Sequence, residues 1–306
     1  MLDEFEDIFI IGGTGFTGAR IVKASVGLGK NVFVLSRSSE SNKKIRGLNA
    51  VPISGNLDGN DLGAFFDEVK EPKSTLFIYT ASMGFGHIEG VVRRLESSGI
   101  KRAIFTSTSS IYTSLPVSSK PIRLKAEQAV MSSSLDWTII RPTMIYGDMG
   151  DRNMERLINL VNKLPIVVLP LIDNGAALQQ PVHVDDLVSV ILTAADFDIA
   201  ISKAYDIGGR DSITLKNLFK QVSETARKKP ILVNVPSRTA ASFVRLYAKT
   251  TKNPKLKEEQ INRLAENKNV DISNAINDLN YQPRSFYDGI KEEFQKITLN
   301  SNIKFK

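Results

Sequence analysis

The chain has 306 residues, of which 42% are hydrophobic and 24% are charged, and this composition is typical of a globular protein with a substantial core. It contains no cysteine and two histidines, which excludes disulfides, thiolate metal sites and cysteine nucleophiles and disfavours a histidine-based metal site. The net charge of +7 comes from residues 216–306, which hold 18 Lys and Arg against 9 Asp and Glu. The sequence contains no basic motif interleaved with aromatic residues, so nucleic acid is not an expected partner.

The first predicted element is a buried strand that ends in a glycine-rich loop. The segment IFIIGGTGFTG places Gly12, Gly15 and Gly18 three residues apart, and the residues after it predict a helix. Gly12 permits a tight turn, Gly15 permits close approach of a pyrophosphate, and Gly18 lets the helix lie against the strand. The loop therefore predicts a dinucleotide site, with contacts expected from Gly12, Thr14, Gly15, Phe16, Thr17 and Gly18.

Strands and helices alternate from this loop to Gly147. Apolar runs predict further strands at 31–35, 51–53, 75–79, 102–106 and 137–140, and a helical period predicts helices at 62–69, 87–98 and 124–132. This alternation predicts an α/β fold of the Rossmann type, with a doubly wound parallel sheet and right-handed crossovers.

The pattern loosens beyond Gly147, which predicts a smaller C-terminal α+β lobe. Helices are predicted at 153–164, 184–195 and 214–226, the last with Thr214 as N-cap, and strands at 204–207 and 231–235. We expect residues 1–147, completed by parts of 181–210, to form the cofactor-binding domain. Residues 148–306 would mainly form the smaller substrate-binding lobe, with the ligand in the cleft between the two.

Two segments bear on membranes and on the compartment. The apolar run LPIVVLPLI at 164–172 is too short and too broken by proline to span a bilayer. It could serve as a pocket lid, a membrane-contacting patch or core, and core is the favoured interpretation. The N-terminus lacks the basic region of a signal peptide, so a cytoplasmic protein is expected. The basic surplus suits either an anionic substrate or peripheral contact with a membrane surface, but a solvated helical surface is favoured.

Several motifs carry a resemblance to a known superfamily. They are GGTGFTG at 12–18, FTSTSSIY at 105–112, RPTMIYG at 141–147 and PVHVDDLV at 181–188, and they occur in this order along the chain. The chain resembles the short-chain dehydrogenase/reductase superfamily on its extended, atypical side, with the nucleoside-diphosphate-sugar epimerases and dehydratases. The resemblance implies a bound nicotinamide dinucleotide, a small-molecule substrate and a homodimer.

The end of the second strand predicts which cofactor is held. An acid at this point would bind the ribose hydroxyls and repel a 2′-phosphate, but the residues are Ser36 and Arg37. NADP(H) is therefore preferred over NAD(H) in this interpretation. By resemblance, Asn56 and Leu57 lie near the adenine. The remaining cofactor contacts are then expected from Thr80, Ala81, Ser82, Ser107, Lys125, Pro142, Thr143 and Ile145.

The catalytic positions of the superfamily are only partly present. The resemblance places Thr108 at its Ser/Thr position and Lys125 at its lysine position, but the residue four before Lys125, where a tyrosine is expected, is Pro121. Three interpretations stay open. Tyr112 acts as the acid, substrate or water supplies the proton beside Thr108 and Lys125, or the cofactor is bound without hydride transfer.

The substrate side also departs from the nucleotide-sugar relatives. Gln179 stands where they often carry a diphosphate-binding arginine, four residues before His183. Either Arg152, Arg156 or Lys163 replaces that arginine, or the substrate is not a nucleotide sugar. Substrate contacts are expected from Met83, Arg152, Asn153 and Gln179, whereas His183 is interpreted as structural and Asp185 and Asp186 as residues that cap a helix and order the junction between the lobes.

The leading hypothesis is an NADP(H)-binding protein of the epimerase or reductase type, acting on a sugar-type or other carbonyl substrate. The alternative is a non-catalytic NADP(H)-sensing regulator or structural subunit, because the usual tyrosine is replaced by Pro121.

Overall fold

A computed structural model describes residues 2–57, 62–151, 153–240, 242 and 258–303. Its main feature is a seven-stranded sheet in which every pair of neighbours is parallel. Thirteen short strands are defined among the described residues: β1 Asp7–Ile11, β2 Asn31–Ser36, β3 Val51–Ser54, β4 Thr75–Tyr79, β5 Arg102–Thr106, β6 Asp136–Pro142, β7 Ile145–Tyr146, β8 Val168–Ile172, β9 Leu178–Gln179, β10 Val182–His183, β11 Lys203–Ile207, β12 Ile213–Thr214 and β13 Ile231–Val235.

The strand order in the large sheet is β11-β6-β5-β4-β1-β2-β3. The order reverses beside β1, so the ends of β1 and β4 open a crevice at the carboxyl edge of the sheet, where ligands bind in folds of this kind. The predicted Rossmann sheet is confirmed. The seventh strand of the sheet is β11, which pairs with β6. The described residues between these two strands, including those of 148–202, contribute no strand to the large sheet.

Helices cover both faces of this sheet and build the second lobe. Their bounds are α1 Phe16–Gly27, α2 Ser39–Arg46, α3 Leu62–Asp67, α4 Ile88–Ser98, α5 Ser119–Met131, α6 Met154–Lys163, α7 Val184–Asp196, α8 Leu215–Thr225, α9 Glu258–Ala265, α10 Ser273–Leu279 and α11 Phe286–Ile303. Among the described residues, no helix is both long and apolar enough to cross a membrane.

Each face of the sheet has its own core. On one face, Ile21 of α1 and Leu187 of α7 are buried with the sheet residues Ile8 and Ile10. On the other face, α3, α4 and α5 bury Phe65, Val91 and Val130 against the sheet. Burial on both faces explains why β4 and β5 carry no exposed residue and why their sequences read as continuous apolar runs.

A third core lies outside the large sheet, and we call the elements that build it the second or smaller lobe. Its buried side chains come from α6, α8, α11 and β8, and they include Ile158, Leu169, Leu218 and Ile290. The apolar run at 164–172 contributes Val167 and Leu169 to this core, and exposed residues alternate with buried ones along 166–171. Leu169 and Leu171 are buried, whereas Val168 is 50% exposed.

Two helices differ from the sequence expectations. The structure contains α2, which follows Arg37 and was not predicted because its sequence SESNKKIR is almost entirely polar. Helix α5 begins at Ser119 rather than at Leu124, so Pro121 lies inside its first turn, where the missing N–H costs no helical hydrogen bond. The predicted cap of α8 is confirmed, because the Thr214 side chain accepts a hydrogen bond from Asn217 N.

Candidate functional site

The glycine loop connects β1 to α1 and lies in close contact with the residues that follow β4. Gly12 has φ +91°, and a Cβ built on it would lie 2.6 Å from Ala81 N. A Cβ on Gly18 would lie 2.2 Å from Gly12 O. Only glycine fits these two positions, and the loop is thereby pressed against the end of β4.

The outer side of the same loop is open. A Cβ on Gly15 would meet only Gly12 O, at 3.2 Å. Gly15 is the N-cap of α1, the helix has no side-chain cap, and its first turn contains no acidic residue. The positive end of α1 therefore faces this open side, and an anionic pyrophosphate fits there.

A cavity of about 470 Å³ lies at the ends of β2 and β3. Arg37 is exposed at this cavity, Ser36 is buried beneath it, and Asn42 Oδ1 has no hydrogen-bond partner among the described residues. Asn56 is in the wall, but Leu57 faces a neighbouring cleft beside α4. The described wall carries hydroxyls, amides and one guanidinium but no carboxylate: Ser36, Arg37, Ser38, Ser39, Asn42, Ser54, Gly55 and Asn56.

A second cavity, of about 250 Å³, lies beside the glycine loop at the ends of β4, β5 and β6. It brings together eight of the expected cofactor residues, among them every one predicted at the ends of β4, β5 and β6. Thr106 Oγ1 is buried in its wall without a hydrogen-bond partner among the described residues, so a polar ligand atom can satisfy it. The wall consists of Thr17, Thr80, Ala81, Ser82, Met83, Thr106, Ser107, Thr108, Arg123, Pro142, Thr143 and Ile145.

The structure corrects the placement of Lys125. Its side chain is 76% exposed, and its Nζ pairs with Glu89 Oε1 of α4 at 2.9 Å, outside this cavity. Arg123 lines the cavity instead. The two residues are two positions apart on α5, which turns them by about 200° around the helix axis, so they cannot face the same side.

Glu127 of α5 binds Ser107, one of the residues that line this cavity. It accepts hydrogen bonds from Ser107 Oγ and from the Arg141 guanidinium, with Arg141 Nη2 at 2.7 Å from Glu127 Oε2. Glu127 is buried, and its charge is balanced by Arg141. The Ser107 hydroxyl is committed to this contact, whereas Thr108 stands at the cavity mouth, where its Oγ1 contacts Ser110 Oγ at 2.6 Å.

A third cavity, of about 340 Å³, adjoins the second one. Thr108 and Thr143 line both cavities, so the two cavities meet at these residues. Most of the residues that line the third cavity are of polar types: Thr108, Ser109, Ser110, Tyr112, Thr113, Val117, Thr143, Met144, Asn153, Arg263, Glu266, Asn267, Lys268, Asn269 and Val270.

Tyr112 reaches this third cavity but is held by two charged partners. Its hydroxyl donates to the Asp206 carboxylate, at 2.9 Å from Oδ2, and accepts from Arg141 Nη1 at 3.1 Å. Burial and the Asp206 carboxylate raise the pKa of Tyr112 to about 12. A tyrosine with this pKa holds its proton at neutral pH and is a weak general acid.

The cations of the third cavity were missed by the sequence analysis. Lys268 and Arg263 lie in its wall together with Glu266. Burial lowers the pKa of Lys268 below its usual range; the Glu266 carboxylate opposes this shift, and the Arg263 charge adds to it. Burial and the Arg263 charge also lower the pKa of Arg123. No motif marks them, because Lys268 and Arg263 follow a long polar stretch of the chain.

The four expected substrate residues are placed differently. Met83 is in the second cavity and Asn153 in the third. The structure does not bring Gln179 to either wall, because it is buried in β9 between Ile213 and Lys268, with its Nε2 unpartnered among the described residues. Arg152 lies outside the described residues.

His183 and its neighbours contact other residues of the protein. His183 is buried, its Nδ1 accepts a hydrogen bond from Asp185 N at 3.2 Å, and burial lowers its pKa. Asp186 binds Arg284 across the junction of the two lobes, with Arg284 Nη2 at 2.8 Å. Within the described part of the chain, no group of three or more metal-ligating side chains is present.

The sheet, the glycine loop and the row of cavities at its carboxyl edge define an NAD(P)-binding Rossmann protein. Comparison with known proteins agrees: residues 12–159 match the family of NAD(P)H-binding domains. Residues 12–159 therefore form a domain of the NAD(P)H-binding family, and the chain as a whole is similar to NAD-dependent epimerases and dehydratases of the short-chain dehydrogenase/reductase type. The resemblance to the short-chain dehydrogenase/reductase superfamily, inferred from the motifs, is confirmed.

The relatives are distant in sequence. UDP-glucose 4-epimerase of Vibrio cholerae is 22% identical, and the match covers 97% of both chains. NADH dehydrogenase [ubiquinone] 1 alpha subcomplex subunit 9 of Arabidopsis thaliana is 27% identical over 74% of this chain, and the match spans only 60% of that subunit. The structure of UDP-glucuronic acid 4-epimerase from Bacillus cereus in complex with NAD shares the fold, with a TM-score of 0.71, 16% identity, and coverage of 96% of this chain and 99% of that one.

Proposed function

We propose that the protein is an NADP(H)-dependent reductase or epimerase-like enzyme that acts on a polar carbonyl substrate of the sugar type. The observation that carries this proposal is that Thr108 and Thr143 line both the second and the third cavity, so the two cavities adjoin. A cofactor that lies along the glycine loop would place its nicotinamide in the second cavity. A substrate in the third cavity would then meet it beside Thr108.

The preference for NADP(H) over NAD(H) is supported by the cavity at β2 and β3. Its described wall contains Arg37 and four serines and no carboxylate that would repel a 2′-phosphate. The proposal is tested by titrating the purified protein with NADPH and NADH and following nicotinamide fluorescence. We expect the tighter binding with NADPH, and tighter binding of NADH would contradict it.

The proton chemistry would differ from that of the relatives with a catalytic tyrosine. The bound cofactor would supply a hydride to the carbonyl carbon. Thr108 would hydrogen-bond the carbonyl oxygen, and Lys268, whose pKa is lowered by burial, would give it a proton. Arg123 would stabilise the developing negative charge from the side of α5.

A non-catalytic cofactor-binding role is the second candidate. It is favoured by α5, which presents Arg123 to the second cavity and turns Lys125 into solvent. The plant relative is named as a subunit of NADH dehydrogenase, which is compatible with a structural role for a chain of this kind. In that case NADP(H) would bind tightly but would not be turned over.

The experiment that separates the two candidates measures NADPH oxidation with a panel of keto-sugars and other polar carbonyl compounds. We expect turnover with at least one compound. Replacing Lys268 by Met should lower kcat by about 100-fold or more and leave NADPH affinity unchanged, because Lys268 lies outside the second cavity.

The matched control is Lys220→Met, which removes an exposed lysine from α8 and should leave kcat unchanged. Tight NADPH binding without oxidation of any compound would favour the non-catalytic role. Unchanged turnover in the Lys268→Met variant would remove Lys268 from the proton transfer.

A further inference from the structure

The smaller lobe contains a two-stranded parallel sheet whose outer side is apolar. Strands β8 and β13 pair in the register Val168↔Ile231 and Pro170↔Val233, and residues paired in this way point to the same side. The opposite side carries Leu169 and Leu232, which belong to the third core. The sheet is therefore covered on its inner side by α6, α8 and α11.

The outer side exposes large aliphatic residues in one contiguous group. Ile166 is 65% exposed, Val168 50%, Ile231 54% and Val233 45%, and Pro170 is exposed between them. We call these five residues the apolar face. Single exposed apolar residues need no explanation, but β-branched residues on both strands of one sheet form a patch of the kind that marks an interaction site.

Cations collect at one end of the apolar face. Because β8 and β13 are parallel, the segments that precede them lie at the same end of the sheet, and these segments carry the exposed residues Lys163, Arg227 and Lys229. Lys228 links the two segments at this end of the sheet. Its Nζ donates hydrogen bonds to Val161 O, Asn162 O and Leu164 O at 2.8–2.9 Å. Helix α6 is thereby tied to the start of β13, and the cations are held beside the apolar face.

We infer that the apolar face docks on the surface of a membrane that contains anionic lipids. Aliphatic side chains can enter the boundary between headgroups and acyl chains, and Lys and Arg at the edge can pair with negative headgroups. In sequence, residues 216–306 carry twice as many basic as acidic residues, and this surplus agrees with an anionic partner. Docking needs no membrane-spanning helix and is independent of the reaction proposed above.

The test is co-sedimentation of the full-length protein with vesicles of phosphatidylcholine and phosphatidylserine, compared with vesicles of phosphatidylcholine alone. We expect the wild-type protein to bind the phosphatidylserine vesicles more strongly and to be released by high salt. The double variant Val168→Glu/Val233→Glu should lower the partition coefficient by about tenfold or more, because it places two charges in the apolar face.

The matched control is Ile199→Glu/Ile276→Glu, which changes two residues of similar exposure, 50% and 44%, elsewhere on the surface. It should bind vesicles like the wild type. Circular dichroism and the melting temperature check that each variant is folded. If the apolar-face variant does not fold, the triple variant Lys163→Gln/Arg227→Gln/Lys229→Gln carries the test and should lose the preference for phosphatidylserine.

Three outcomes would overturn the inference. The first is a wild-type protein that does not sediment with either vesicle. The second is an equal loss of binding in the control variant. The third is a wild-type dimer, detected by light scattering, that Val168→Glu/Val233→Glu dissociates while vesicle binding is absent, since the face would then serve a second copy of the chain.

Discussion

Two glycines of α1 show how differently one residue type can be constrained. Gly18 lies in the first turn, where an added Cβ would approach the backbone oxygen of Gly12 to 2.2 Å. Gly27 is the last residue of the same helix, and an added Cβ would meet no atom within 4 Å. The first position is fixed by close packing against the cofactor loop, and the second is free of that constraint.

Replacing Gly18 by Ala should destabilise the protein by about 1–3 kcal/mol, because the backbone of the loop must move to admit the methyl group. Gly27→Ala should be neutral or stabilising by up to about 1 kcal/mol, since alanine favours the helix. Urea unfolding of both variants measures this difference. Equal stabilities for the two variants would contradict the proposed packing.

Arg37 is the residue on which cofactor preference depends in our proposal. The variant Arg37→Asp should weaken NADPH binding by about tenfold or more, because a charge-assisted contact to the 2′-phosphate is lost and a repulsive charge takes its place. NADH binding should be unchanged or stronger, because an acid can bind the ribose hydroxyls. Fluorescence titration with both cofactors measures the ratio of affinities, and a ratio that does not change would exclude Arg37 from this role.

At the scale of single elements, the start of α5 decides which cation faces the second cavity. The helix begins at Ser119, and its cavity side carries Arg123 and, one turn later, Glu127. Lys125 is on the outer side, where it pairs with Glu89. The placement follows from helix geometry, since residues four apart share a side and residues two apart do not.

Arg123→Ala should therefore weaken NADPH binding by about 10-fold or more, through the loss of a partly buried cation beside the ligand. Lys125→Ala is the matched control on the same helix and should leave the affinity unchanged, because an exposed ion pair contributes little. Isothermal titration calorimetry with NADPH compares the two variants. A larger loss in Lys125→Ala than in Arg123→Ala would reverse the assignment.

At the scale of the whole molecule, the two lobes are joined by buried polar contacts as well as by the chain. Glu293 of α11 accepts a hydrogen bond from Gly147 N at 3.1 Å and lies beside Asp151, which caps the start of α6. Burial and the neighbouring Asp151 raise the pKa of Glu293 to about 9, and burial raises the pKa of Asp151 as well. Glu293 is thus held protonated at neutral pH.

This pairing predicts a pH-dependent stability. An acid whose pKa is about 9 in the folded protein, against an ordinary value of 4.5, stabilises the fold fully below pH 4.5, and this contribution is lost as the pH rises to about 9. Glu293→Gln keeps the contacts without an ionisable group, so it should be more stable than the wild type at pH 8.5, by about 1–3 kcal/mol, with a smaller difference at pH 5.

Urea unfolding at both pH values measures this effect. Glu68→Gln, at an exposed position of the main lobe, is the control and should follow the wild-type pH dependence. A Glu293→Gln variant that loses stability equally with the wild type between pH 5 and pH 8.5 would show that Glu293 is ionised in the folded protein.

The whole-molecule scale also explains why the run at 164–172 was ambiguous in sequence. Its apolar residues favour core, but the strand partner of β8 is β13, about 60 residues further along the chain. Pairing of these strands leaves one side of the sheet on the lobe core and the other outside. No local pattern in 164–172 specifies this partner, so the exposed side could not be predicted from the run alone.

The sequence by itself determined the parallel sheet and the glycine loop, because these depend on local apolar runs, on turn residues and on positions that admit only glycine. It also pointed to Ser36 and Arg37, which follow a predicted strand, and the family resemblance pointed to Thr108. Only the tertiary structure decided that Arg123 and not Lys125 faces the second cavity, that Lys268 and Arg263 line the third cavity, and that Glu293 meets Asp151. These contacts join segments far apart in the chain, and they are fixed by helix start points and by packing between the lobes, which leave no short-range signal in the sequence.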